Sequence, residues 1–141
     1  MASYRRAVPV LQAADVARSV RWYRDVLGFE ADPFPKDHPH SFAILRREGA
    51  EIMLQCSDRG AGAHSAASPV DREFLWSVYL RISGTTVLDL AAAVKKKTEI
   101  LRGPERMFSG LVELEIGDPD GHRVCLGGEA PAGAGVPVRK D

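Results

Sequence analysis

The side chains that could do chemistry in this chain are few and scattered. Four histidines, His38, His40, His64 and His122, are the natural imidazole ligands and proton carriers. His38 and His40 flank Pro39, His64 falls in a Gly/Ala/Ser-rich stretch, and His122 follows an Asp118-Pro-Asp-Gly121 turn. Metal ligands need ordered, oriented surroundings, so these loop positions predict solvated histidines. Glu113 and Glu115 alternate in a strand-like run and share a face. A carboxylate facing a cleft can act as a general base, and it can equally pair with Arg81 or Arg123; a cross-strand salt bridge is the expected use. Cys125 has no base near it in sequence, so inert burial is expected. No Ser/His/Asp arrangement, nucleophile elbow, P-loop or dinucleotide fingerprint occurs.

The elements that must position these groups can be read from pattern. With 141 residues the chain has the length of one domain, and 45% hydrophobic against 27% charged residues is a globular composition. Nineteen Lys+Arg against nineteen Asp+Glu leave no basic excess, so no nucleic-acid partner is expected. The one basic run, Lys95-Lys96-Lys97, sits at an expected helix end, where cations suit the dipole. No apolar run approaches the roughly 20 residues needed to span a bilayer, so no membrane partner is expected. Met-Ala-Ser-Tyr-Arg-Arg leads into a strand-like run and not into a signal-peptide core. Cys56 and Cys125 lack CxxC spacing and read as reduced thiols of a cytoplasmic protein.

Ala7–Leu11 predicts a strand in which Pro9 marks an edge or bulge. Asp15 predicts the N-cap of a helix to about Val26, with Val16, Val20, Tyr23 and Leu27 as its buried stripe and Gly28 as its stop. Strands are expected at Phe29–Phe34, Ser41–Arg47 and Glu51–Cys56, the last two joined around Glu48-Gly49-Ala50. Ser57–Arg72 is Gly/Ala/Ser-rich and reads as a connector or flap. The same order then returns. Phe74–Ile82 alternates, Thr85 or Thr86 caps a helix that buries Val87, Leu90, Ala91 and Val94, and strands follow at Glu99–Arg102, Val112–Ile116 and Arg123–Leu126. Pro104–Gly110 is expected to be a loop, and the residues from Glu129 an exposed tail.

The pattern is an α+β fold, with βαβββ stated twice: module one at about 5–56, a connector at 57–73, module two at about 74–128 and a flexible tail at 129–141. One helix backing a four-stranded sheet leaves each sheet a free face. On Phe74–Ile82 that face carries Ser77, Tyr79 and Arg81. Two such faces curved towards one another would enclose a cleft of mixed polarity, the usual make-up of a small-molecule site. Phe42, Met53, Tyr79, Met107 and Phe108 are candidates for its apolar lining, and Gln55, Ser77, Arg81, Glu113 and Cys125 for its polar part. Trp22 and Tyr23 are expected to pack in the core.

The segment from Asp15 through Ser19, Trp22-Tyr23 and Leu27-Gly28-Phe29 resembles the opening helix of the vicinal oxygen chelate superfamily, which includes glyoxalase I, extradiol dioxygenases and bleomycin-resistance proteins. Glu51-Ile-Met-Leu-Gln55 is similar to its fourth strand and Asp118 to Leu126 to its final hairpin, so the resemblance covers residues 5–128. It implies two modules enclosing a cleft, and a homodimer in which paired modules complete the site. In the superfamily's enzymes His and Glu side chains hold a divalent metal, and the resemblance puts the ligand positions at Val8, Met53, Ser77 (with Trp76 the adjacent choice) and Cys125. Val8, Met53 and Ser77 are not competent ligands for such an ion, and one thiolate is not a site.

The expectation is therefore a metal-free protein that binds a small, partly apolar or planar molecule, as the bleomycin-resistance branch does, with no cofactor. The alternative is a metal-dependent lyase, isomerase or dioxygenase of the same superfamily with an atypical site. A third possibility is an interaction domain whose cleft is filled by its own side chains.

Overall fold

The computed structural model describes residues 1–56, 74–83, 85–130 and 135–139. The connector expected at 57–73, with His64, lies outside them. The order of elements is β1 (Val10–Ala13), α1 (Val16–Leu27), β2 (Glu30–Phe34), β3 (Phe42–Arg47), β4 (Ala50–Cys56), β5 (Val78–Ile82), α2 (Val87–Val94), β6 (Ile100–Arg106), β7 (Val112–Gly117) and β8 (Arg123–Gly128). These form two four-stranded mixed sheets, ordered β1-β4-β3-β2 and β5-β8-β7-β6, with β1 parallel to β4, β5 parallel to β8 and the other neighbours antiparallel.

Local chemistry sets the helix boundaries. Asp15 is extended and its carboxylate accepts the Arg18 N–H at 3.1 Å, satisfying one of the donors a helix start leaves free. Gly28 adopts the left-handed conformation (φ 74°) and returns its N–H to the Arg24 carbonyl at 3.0 Å, which stops the helix. Between them Val16, Ser19, Tyr23 and Leu27 are buried at spacings of three and four. Thr86 caps α2 by accepting the Asp89 N–H at 3.1 Å, and Val87, Ala91 and Val94 turn inward.

Each sheet divides cleanly into two faces. Leu11, Leu54 and Ala43 form one row across the first sheet, and Val78, Val124 and Ile116 one row across the second. These rows are buried under α1, which packs on β2, β3 and β4, and under α2, which packs on β6, β7 and β8. The alternate rows face away from the helices: Val10, Met53 and Ile44 in the first sheet, and Tyr79, Cys125 and Glu115 in the second.

The two modules meet through the β7–β8 turn. Asp118 accepts the N–H groups of Asp120 and His122, each at 2.9 Å, and folds the Pro-Asp-Gly segment back on itself. Its other oxygen takes the Tyr23 hydroxyl of α1 at 2.8 Å. Asp120 accepts the Ala14 N–H at 3.1 Å and the Ser19 hydroxyl at 3.2 Å. The turn of one module is thus anchored on the first turns of the other module's helix.

Several elements depart from the sequence expectation. The first strand starts at Val10 and not at Ala7, because Pro9 has no N–H to pair, although its carbonyl accepts from Met53 at 2.9 Å. The fifth begins at Val78, and Phe74 stands before it in the left-handed region (φ 69°). β6 continues to Arg106, through the stretch expected as a loop, by means of register shifts between Ile100 and Arg102 and between Arg102 and Glu105. Of the expected tail, Pro137–Arg139 pair with β6 at the edge of the second sheet: the Arg106 N–H donates to the Pro137 carbonyl at 2.7 Å and the Arg139 N–H to the Arg106 carbonyl at 2.8 Å.

Candidate functional site

The free face of the second sheet carries a buried ionic network. Arg102 is its hub, reaching Glu113 at 2.9 Å and Glu105 at 2.6 Å, and Glu115 through Nε. Glu115 also accepts from Arg123 Nε at 2.8 Å and from the Trp76 indole N–H at 3.0 Å. Glu113 takes the Tyr79 hydroxyl at 3.0 Å, and Arg139 closes the outer end on Glu105 at 3.1 Å. The Arg102 and Arg139 guanidinium groups both lie over the Phe74 ring, 4.2 and 4.6 Å from its centre.

Burial and pairing set the charge states. Burial alone would lower the Arg102 pKa, but hydrogen bonds to Glu105, Glu113 and Glu115 outweigh it, and the guanidinium remains a cation. Burial alone would raise Glu115, but donation from Trp76, Arg123 and Arg102 holds it below the usual carboxylate range. Glu105 is lowered in the same way by Arg102 and Arg139, against its own burial. Cys125 moves the other way: burial, with the Glu113 charge beside it, pushes the thiol well up. Tyr79 is raised by burial and by its bond to Glu113.

Tyr79 owes its pose to a missing side chain. A Cβ placed on Gly127 would collide with the Tyr79 ring and hydroxyl, so glycine there is what lets the phenol lie across β8 towards Glu113. With Trp76 and Tyr79 each tied to a buried carboxylate, their rings stand 5.1 Å apart at 60°.

The structure gathers most of the predicted site residues, on two faces. Tyr79, Arg81, Glu113 and Cys125 share the free face of the second sheet through their register partners, with Ser77 just ahead of β5. Phe42, Met53 and Gln55 share the free face of the first, where Gln12 donates to Gln55 at 3.3 Å. Phe108 stands apart from both, 86% exposed within the Met107–Gly110 turn that follows β6. Met107 is buried and accepts from Arg102 at 3.4 Å.

Two further expectations need correction. His122 is buried and not solvated: Nε2 lies 2.7 Å from the Gln12 carbonyl of the other module, and Nδ1 lies 3.3 Å from the Ser77 hydroxyl. Of the two arginines expected to pair with the glutamates, Arg123 does so, while Arg81 instead stands over the Tyr79 ring at 5.7 Å. Sequence reasoning missed Arg102. Simple alternation from Ile100 gives no hint that the register shift brings Arg102 opposite Glu115. The signal available was Gly103-Pro104, a pair that marks an irregularity in a strand.

The four positions to which the resemblance assigns the family's ligands do not fit a hard or borderline cation. Val8 is aliphatic, Met53 a thioether, Ser77 a neutral hydroxyl and Cys125 a thiol that burial keeps protonated. Met53 and Cys125 occupy matching places, opposite Val10 and Tyr79 in the two parallel pairings. His38 and His40 pack edge to face at 5.7 Å, and His40 Nδ1 lies 2.7 Å from the Pro35 carbonyl. Among the described residues no group of three or more His, Cys, Asp or Glu could hold a metal ion, and no helix is long and apolar enough to cross a membrane.

A cavity of about 550 Å³ lies elsewhere, between the Arg6–Pro9 arm, the β3–β4 turn and β5. Of the predicted site residues only Tyr79 and Arg81 line it.

Comparison with known proteins agrees with the architecture. TioX from Micromonospora sp. ML1 superposes with a TM-score of 0.68 at 19% identity, over 87% of this chain and 97% of that one. A bleomycin-binding protein from bleomycin-producing Streptomyces verticillus, solved with copper(II)-bleomycin, gives 0.58 at 21% identity, over 93% and 99%. A glyoxalase-related enzyme from Clostridium phytofermentans gives 0.62 at 17% identity, over 92% and 98%. At these identities the likeness is one of fold. No curated protein matches the sequence. The family model described as Glyoxalase/Bleomycin resistance protein/Dioxygenase superfamily matches residues 6–126, and the chain is a member of that superfamily.

Proposed function

We propose that this protein binds a small, partly apolar or planar molecule without a metal, on the free faces of its two sheets. The observation that carries the reading is the position of Arg102. Its Nη2 stands 4.0 Å from the Cys125 sulfur, at one of the family's ligand positions, and is 2.9 Å from Glu113. A permanent buried cation there repels a divalent ion and occupies the carboxylate nearest to Cys125. The groups left for a ligand are the Trp76 and Tyr79 rings with Arg81 on the second sheet, and Phe42, Met53 and Gln55 on the first. Aromatic rings held by hydrogen bonds suit a flat partner, because little freedom is lost on contact. The bleomycin-binding neighbour supports a binding role by fold alone.

The reading includes a homodimer, which would cover the exposed Val10 and Phe34 of the first sheet, and a reducing, cytoplasmic setting for the free Cys56 and Cys125 thiols. Elemental analysis of protein purified without chelator, together with thermal-shift screening of planar compounds, tests the function. Substoichiometric metal and a compound that raises the melting temperature are expected. Stoichiometric zinc, nickel, manganese or iron, or no shift from any compound, would overturn it. Light scattering checks the dimer.

A further inference from the structure

The cavity beside β5 runs past the edge of the second sheet and shares only Tyr79 and Arg81 with the residues of the proposed sheet-face site. Part of its lining is apolar: Leu27 and Phe29 at the end of α1, Leu90 of α2, and Leu80, Ile82 and Leu126 of the second sheet. Its volume of about 550 Å³ lies within the range of about 300–1,000 Å³ usual for small-molecule pockets. β5 is an edge strand, so part of the cavity wall is backbone without a ladder partner on that side.

The rim is basic. Arg6, Arg47 and Arg81 all line the cavity, on three separate segments. Among the described residues Arg6 and Arg81 make no ion pair. Arg47 donates to the Leu27 carbonyl and lies 3.7 Å from Glu48. Two carboxylates also reach the rim, but Glu51 is held by Arg46 at 3.0 Å and Glu48 is almost fully exposed beside Arg47. The lining thus combines apolar side chains with two guanidinium groups, Arg6 and Arg81, that make no ion pair among the described residues.

We propose that this cavity is a second binding site, for an amphipathic anion with an apolar body and a carboxylate head. The body would lie against Leu80, Ile82 and Leu90, and the head would meet Arg6 and Arg81. Guanidinium groups suit a carboxylate because their forked donors match its two oxygens.

The test is calorimetric titration of the full chain with decanoate, and with decylammonium as the probe of opposite charge. Decanoate should bind saturably, one per chain, and decylammonium about tenfold or more weaker, since only the head group differs. The double variant Arg6→Gln/Arg81→Gln should weaken decanoate about tenfold while leaving the melting temperature in place. Ala7→Trp, at an exposed position on the cavity wall, should block it by filling space. Equal affinity for the two probes, absence of decanoate binding, or insensitivity to these substitutions would overturn the proposal. Gln55→Trp, on the free face of the first sheet, should leave decanoate binding unchanged. If it blocks binding while Ala7→Trp does not, decanoate sits on the sheet face and this second site is refuted, with the sheet-face reading intact.

Discussion

The Arg102 guanidinium stands 4.0 Å from the Cys125 sulfur, on the same face and within the same buried network. That proximity places a fixed positive charge beside one of the family's ligand positions. It also makes the second sheet's stability depend on one side chain, which neutralises two carboxylates that water barely reaches.

Replacing Arg102 with Met should be severe. Methionine preserves some of the volume but leaves Glu113 and Glu115 buried without their main counter-charge. Breaking a buried pair on one side costs roughly 3–5 kcal/mol, so Arg102→Met should shift the denaturant midpoint strongly. Arg102→Lys should recover part of the loss, because one ammonium cannot serve three carboxylates with the geometry of a guanidinium. Urea unfolding followed by circular dichroism checks both.

Acid should destabilise the fold through the same network. Glu105 and Glu115 have lowered pKa values in the folded state, so their contribution is present above the unfolded-state value of about 4.3. It is lost as pH falls through the lower folded values. Asp118 has the opposite sign: burial raises its pKa, despite the stabilising contacts of His122 and Tyr23, so protonating it favours the folded state. Unfolding free energy measured from pH 6 downwards should therefore fall most steeply below about 4.3. Glu115→Gln should flatten that slope; an unchanged slope would contradict the assignment.

The two cysteines should react at very different rates. Cys56 is exposed, whereas Cys125 is buried with its thiol pushed up by burial and by Glu113. Since the thiolate is the nucleophile, iodoacetamide at neutral pH should label Cys56 first. Cys125 should become modified only under denaturing conditions. Peptide mapping by mass spectrometry distinguishes the two, and early labelling of Cys125 in folded protein would show the network to be open.

Gly127→Ala should displace Tyr79. The new methyl occupies space now held by the phenol, so the ring must leave and its bond to Glu113 must break. Overpacking of this kind costs about 1–3 kcal/mol. Combining it with Tyr79→Ala should remove most of that penalty, because the collision then has no second partner. Thermal unfolding of the two single variants and the double variant provides the cycle.

Much of this molecule could be read before folding. Asp15, Gly28 and the Val16-Tyr23-Leu27 stripe fix α1 by local chemistry alone, since caps and periodicity act within a few residues. The alternation of Val78, Leu80 and Ile82 against Tyr79 and Arg81 assigned the faces of β5 correctly, because a strand has only two. Ser19 and the Asp118–Gly121 turn were legible as two separate motifs. That they touch, through Ser19 and Asp120 at 3.2 Å, is a fact of tertiary packing across 101 positions.

What the sequence determined by itself was the twice-stated βαβββ order and the chemistry absent from Val8, Met53, Ser77 and Cys125. Both depend on residue identity and short-range spacing. The hub at Arg102, the burial of His122 between modules, the pairing of Pro137–Arg139 with β6 and the cavity beside β5 were decided only by the fold. Each depends on which distant segments become neighbours or on a register shift, and no local pattern encodes either.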